Sequence, residues 1–160
     1  MAHEIELKFL VKGDFKPFVT KKSEITQAYI STDPNRTVRI RISDGTGHIN
    51  IKGVAKISGI MRFEWEKEIP LQDAKELMEL RKSGLVEKTR YVIPAGKGLE
   101  FEVDEFHGDN EGLFIAEIEL PSADTKFEKP AWLGNEVTGN SAFYSSELSV
   151  NPYKNWKEML

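Results

Sequence analysis

The chain has 160 residues, 39% of them hydrophobic and 30% charged, with a formal net charge of −4 and no cysteine. That length suits one domain over 1–160 with a substantial core, and the lack of thiols excludes disulfides, thiolate nucleophiles and zinc–thiolate sites. A mildly acidic chain without a basic run disfavours nucleic acid as a partner, and with neither a leader-like start nor a long apolar run it is read as cytoplasmic and not membrane-bound.

Period-two alternation dominates the order of elements. A first strand is expected at 4–10 and a short helix at 14–20, where Pro17 is tolerated near the start. A strand at 27–30 ends at Asp33-Pro34-Asn35, and 37–43 with 48–52 form a hairpin about Asp44-Gly45-Thr46-Gly47. A further strand covers 61–69. The period then changes: Ala74, Leu77, Met78 and Arg81 share one face, with Asp73 in the first turn and Gly84 at the stop, so a helix is expected over 72–83. Strands resume at 85–93, 99–106 and 113–120, followed by helical pieces at 131–133, 142–148 and 153–159. About eight strands with short connections predict an α+β fold: a closed eight-stranded antiparallel barrel, flanked by helices.

Residues i and i+2 of a strand share a face, about 7 Å apart. Sorted this way, the charges fall into rows. Glu4, Glu6 and Lys8 oppose Ile5, Leu7 and Phe9; Arg39 and Arg41 oppose Val38, Ile40 and Ile42; Lys52 opposes Ile49 and Ile51. Glu64 and Glu66 oppose Phe63 and Trp65, Lys88 and Arg90 share a face, Glu102 and Asp104 oppose Phe101 and Val103, and Glu117 and Glu119 oppose Ile118 and Leu120. Any one such strand reads as the half-buried member of an ordinary antiparallel sheet. Two features go further. The polar faces are almost purely ionised, and their signs are sorted strand by strand.

With the charged face turned inward, Lys8, Arg39, Arg41, Lys52, Lys88 and Arg90 surround a multiply charged anion, and arginine forks two oxygens. The carboxylates Glu4, Glu6, Glu64, Glu66, Glu102, Asp104, Glu117 and Glu119 could not sit beside that anion without divalent cations, for which hard oxygen ligands suit magnesium or manganese. The apolar outer faces would lie beneath the helices. His3, His48 and His107 are read as surface or packing residues.

The Glu4-Ile5-Glu6-Leu7-Lys8 segment, followed in order by Arg39-x-Arg41, Lys52, Glu64-x-Glu66, Lys88-x-Arg90, Asp104 and Glu117-x-Glu119, resembles the CYTH superfamily, the triphosphate tunnel metalloenzymes. The series spans about three-quarters of the chain, and the Trp132-Leu133-Gly134 and Glu136-Val137-Thr138-Gly139 stretches resemble the end of small bacterial members. The resemblance implies a charged tunnel that hydrolyses or rearranges a small triphosphate with magnesium or manganese, two ions being expected. By position, the six cations would bind phosphates, and Glu4, Glu6 and Glu119, with Glu64, Glu66 or Glu117, would hold metal. Tyr29 stands where inorganic triphosphatases of the family pair a tyrosine with the motif lysine, making Lys8–Tyr29 a candidate catalytic dyad; a buried core tyrosine is the alternative.

The expected activity is divalent-metal-dependent hydrolysis of a triphosphate, foremost inorganic tripolyphosphate. Within the family an adenylate cyclase ranks second, because only Met1-Ala2-His3 precedes the acidic motif where cyclases carry a His-Phe pair, and a thiamine triphosphatase ranks third. A non-catalytic binder of polyphosphate or phosphorylated metabolites would need only the cations, so the acidic doublets favour metal chemistry. A lipocalin-like carrier would require the opposite parity. Monomer and homodimer are both compatible with the pattern.

Overall fold

The computed structural model describes residues 5–53 and 63–160. Within them the alternation becomes nine strands of one antiparallel sheet. These are β1 (Ile5–Val11), β2 (Lys21–Ser31), β3 (Arg36–Ser43), β4 (Thr46–Gly53), β5 (Glu64–Ile69), β6 (Val86–Gly96), β7 (Leu99–Phe106), β8 (Phe114–Leu120) and β9 (Leu133–Glu136). Two α-helices, α1 (Leu71–Met78) and α2 (Ser145–Val150), accompany them. The spatial order is β5-β4-β3-β2-β6-β7-β8-β1-β9.

The expected closed eight-stranded barrel is therefore corrected to an open sheet of nine strands among the described residues. The reason is local. Closure would need the free edge of β1 to pair with β5, but β9 takes that edge, through Phe9↔Glu136 and Val11↔Leu133. Gly134 permits it: a Cβ there would lie 2.8 Å from the Leu10 carbonyl oxygen, closer than a side chain tolerates. Of the 131–133 stretch, expected to be helical, Ala131 and Trp132 form a turn and Leu133 opens β9. The sheet still curls, because β5, β1 and β8 contribute side chains to one cleft.

Other boundaries also move. The helix expected at 14–20 is a single 3₁₀ turn, Lys16–Phe18. The strand expected at 27–30 extends over Lys21–Ser31. Helix α1 stops at Met78 rather than near Ser83, because the Arg81 guanidinium donates to the Met78 carbonyl (3.1 Å) and the Lys82 N–H to that of Tyr29 (2.9 Å), turning the chain back to the sheet. The β3–β4 hairpin turns on Asp44 (φ 48°) and Gly45 (φ 83°), the two positive angles of a tight hairpin. The tail forms 3₁₀ turns at Tyr153–Asn155 and Lys157–Met159.

Most apolar strand faces do point outward and are covered, whereas Trp65 of β5 and Phe63 just before it stay exposed. Ala74 and Met78 of α1 pack on Ala28 and Ile40, with Ile42 and Ile49 beside them. Phe15, Trp132 and Leu133 cover Phe9, Phe101, Val103, Ala116 and Ile118. Each such buried large side chain contributes about 1.5–3 kcal/mol.

A third cluster lies elsewhere. Val86, Phe106 and Ile115 continue the inward rows of Lys88, Asp104 and Glu117, and they meet Leu113, Phe143 and Leu148 from the β7–β8 connection and the C-terminal segment. The inner face thus changes from ionised to apolar along its length. One end of the cleft is filled by a greasy plug.

Candidate active site

Register places the charged rows side by side. On the β2–β5 wall, Tyr29 lies opposite Arg39, Arg39 opposite Asn50 and Asn50 opposite Glu66, while Gln27 faces Arg41 and Lys52 faces Glu64. On the other wall Arg90 faces Asp104, Glu102 faces Glu117, Lys8 faces Glu117 and Glu6 faces Glu119. Facing Cβ atoms in such pairs are about 5 Å apart, so each row is a contact lattice.

These rows enclose a cleft of about 570 Å³. Of the residues expected from sequence, Glu6, Lys8, Tyr29, Arg39, Arg41, Lys52, Glu64, Lys88, Arg90, Glu102, Glu117 and Glu119 line it. Asp104 and Glu66 do not. Glu4 lies outside the described residues. The cleft also gains Thr37, Asn50, Thr138, Gly139, Tyr144, Ser145 and Ser146, which the charge pattern had not singled out.

The cations divide into two groups. Lys88, Arg90 and Lys8 are compensated. Asp104 is fully buried and accepts from Lys88 Nζ at 2.9 Å, Arg90 Nε at 2.8 Å and Arg90 Nη2 at 3.0 Å, while Glu102 takes Arg90 Nη1 at 3.1 Å. Lys8 Nζ donates to Glu117 at 2.9 Å and lies 3.5 Å from Glu6. Arg39 and Arg41, by contrast, make no ion pair with any described carboxylate. Arg39 Nε is buried with no hydrogen-bond partner among the described residues, and Arg41 Nε donates to the Gln27 amide oxygen at 3.0 Å.

Protonation follows from these neighbours. Burial opposes ionisation of Asp104, but Lys88 and Arg90 outweigh it and hold the carboxyl at about 2. Lys88 is brought down to about 8 by burial, with Arg90 and Arg41 adding to the effect against the pull of Asp104. Burial, then the like charges of Arg39 and Arg90, lower Arg41 to about 10. Burial pushes the Tyr29 phenol above its ordinary value, and Arg39, Arg41 and Ser145 pull it back only in part. Burial and the neighbouring Glu117 raise Glu6 against the attraction of Lys8 and Lys52.

The donor set suits a hard divalent cation. Glu6, Glu64, Glu117 and Glu119 supply only oxygen, and the mutual repulsion of Glu6 and Glu117 is a tension that such a cation relieves. No three acidic or imidazole groups converge into a ready-made cage among the described residues. Asn50 holds two of the acids, donating from Nδ2 to Glu64 at 3.2 Å and to Glu66 at 3.0 Å.

Lys8 and Tyr29 share the cleft, but each hydroxyl or ammonium group has other company. Lys8 Nζ turns to Glu117, 5.5 Å from the Tyr144 ring centre. Gln27 Nε2 is 3.5 Å from the Tyr29 hydroxyl. His48 is half-buried, and His107 Nε2 lies 2.8 Å from the Thr89 hydroxyl, which donates to Glu24.

Comparison with known proteins agrees with this architecture. Residues 2–151 match the CYTH domain family. The chain is 45% identical over 159 residues to an inorganic triphosphatase of Acetivibrio thermocellus, covering 99% of this chain and 100% of that one. It is 30% identical over 151 residues to an inorganic triphosphatase of Nitrosomonas europaea, covering 92% and 97%. Among solved structures it resembles that of the inorganic triphosphatase NE1496, with a TM-score of 0.72, 27% identity and coverage of 94% and 96%.

Proposed function

The chain belongs to the CYTH domain family, and from that premise we propose that it hydrolyses inorganic tripolyphosphate to pyrophosphate and phosphate in a divalent-metal-dependent reaction. The observation that carries this is the pair Arg39 and Arg41, half-buried cations with no ion-pair partner among the described residues, facing carboxylates across one cleft. Drawing such an arginine away from water without a counter-charge is costly unless an anion completes it. We read 1–160 as a single domain.

Phosphoryl transfer asks mainly for alignment and charge neutralisation. Arg39 and Arg41 grip phosphate oxygens, and Lys52 and Lys88 extend the basic surface along the chain of phosphates. Lys8, held by Glu117 at 2.9 Å, points its ammonium into the cleft, where it stabilises charge as a phosphate leaves. Tyr29 stays a phenol, so it donates a hydrogen bond and does not act as a base. Glu6, Glu64, Glu117 and Glu119 would hold magnesium or manganese, two ions in our reading. Such ions, when bound, neutralise phosphate charge and acidify an attacking water. Asp104, saturated by Lys88 and Arg90, serves as the anchor of the basic wall and not as a ligand.

The test is a turnover screen of the purified protein with tripolyphosphate, ATP and thiamine triphosphate, each with magnesium or manganese. Phosphate release fastest from tripolyphosphate is expected. Cyclic AMP and pyrophosphate from ATP would instead indicate a cyclase, and saturable binding without turnover in any divalent metal would indicate a phosphate-binding protein.

A further inference from the structure

We propose that Gln27 is a positioning residue that fixes Arg41 in the cleft while leaving its full positive charge for the substrate; this rests on the triphosphatase reading above. Gln27 is completely buried and lies directly across the β2–β3 ladder from Arg41. Its amide oxygen accepts from Arg41 Nε at 3.0 Å, and its amide nitrogen is 3.5 Å from the Tyr29 hydroxyl.

A half-buried guanidinium needs an acceptor to hold one orientation. A carboxylate would give the stronger bond, but it would also cancel the charge. That is what happens to Arg90, gripped by Asp104 and Glu102 at 2.8–3.1 Å. A carboxamide of the same length accepts the same hydrogen bond and remains neutral. With Nε–H taken by Gln27, the N–H groups of the two terminal nitrogens remain as a fork for phosphate oxygens.

Electrostatics agree. Arg41 lies half-buried in the repulsive field of Arg39 and Arg90, which Tyr29 and Asp104 offset only in part, a tension that an arriving polyanion would relieve. The inner face therefore holds cations neutralised by acids, such as Arg90, beside one held by a neutral amide, Arg41, whose charge is left uncancelled.

The distinguishing substitution is Gln27→Glu, which keeps size and acceptor but adds a charge. If Gln27 only held Arg41 in place, the glutamate would do as well or better. By the proposal it weakens binding of tripolyphosphate to the metal-free protein by about 10- to 100-fold, the worth of one charge-assisted hydrogen bond. Gln27→Leu, which removes the acceptor but leaves the charge, should weaken binding only a few-fold, and by less than either Gln27→Glu or Arg41→Leu. Affinities are read by isothermal titration calorimetry, with thermal denaturation confirming that each variant is folded. A glutamate variant that binds like the wild type, or a leucine variant that loses nothing or loses more than Arg41→Leu, overturns the inference. The leucine comparison decides the matter even where the glutamate variant does not fold. A wild type that neither binds nor hydrolyses tripolyphosphate overturns the triphosphatase reading, and this inference with it.

Discussion

Replacing Asp104 by asparagine separates an anchor from a metal ligand. The carboxylate accepts three hydrogen bonds, from Lys88 at 2.9 Å and from Arg90 at 2.8 and 3.0 Å, with its side chain 2% exposed. Removing one partner of a buried ionic group costs about 3–5 kcal/mol, because the charges left behind are uncompensated. Lys88 loses its carboxylate partner while Arg90 keeps Glu102 at 3.1 Å, so the whole of that range applies. Against a total stability of about 5–15 kcal/mol the loss is large. At roughly 2–4 °C per kcal/mol for a chain of this size, the melting temperature should fall by about 6–20 °C.

The pH dependence has a definite sign. Asp104 sits at about 2 in the folded state, below its ordinary value, so its stabilisation is complete above pH ~4 and disappears as pH falls through about 2. The wild type should lose about 2–3 kcal/mol from this group over that window, a component missing from Asp104→Asn. Urea titrations followed by tryptophan fluorescence at several pH values measure both quantities. A variant of unchanged stability but weakened manganese binding would falsify the anchor role and make Asp104 a metal ligand.

Arg39→Ala should lower kcat/KM for tripolyphosphate about 10²- to 10³-fold with the fold intact, as expected for a lost electrostatic stabiliser; near-normal turnover refutes its placement. Chelation by EDTA should stop phosphate release and added magnesium or manganese restore it, while Glu64→Gln or Glu119→Gln should raise the half-saturating metal concentration by at least about 10-fold. Because the buried Tyr29 phenol titrates above its ordinary value, Tyr29→Phe should slow turnover without moving either limb of the pH–rate profile below pH ~10. Leu148→Ala opens a void in the fully buried plug and should cost about 2–5 kcal/mol in denaturant titrations, a loss that a merely surface residue would not show.

Parity was enough to recover the inner and outer faces, since each strand repeats every second residue whatever its neighbours are. Ile40 does lie under α1 and Ile118 under the Trp132 segment, while Arg39, Lys88 and Glu119 share the cleft. Gln27 and Asn50 carry no charge, so a reading of the ionised rows does not contain them. Yet Gln27 stands two residues before Tyr29 and Asn50 two before Lys52, so the same alternation pointed to them. The plug was also written in the rows: Val86 precedes Lys88, and Phe106 follows Asp104, by the same step of two. What could not be read was how the tail docks. β9 pairs through backbone groups over only four residues, Leu133–Glu136, and although a helix is expected at 142–148, nothing in its pattern says that Tyr144 and the start of α2, Ser145 and Ser146, reach the cleft. Charge compensation was equally hidden, because sequence spacing does not say which of two facing acids a lysine will choose.

The apolar end of the inner face has a consequence for depth. Val86, Phe106, Ile115, Phe143 and Leu148 put hydrocarbon where the ionised rows stop. An anionic oxygen pushed against them would shed water and find no donor in exchange. The last cation of each row, and not the end of the sheet, therefore sets how far in a charged ligand can settle.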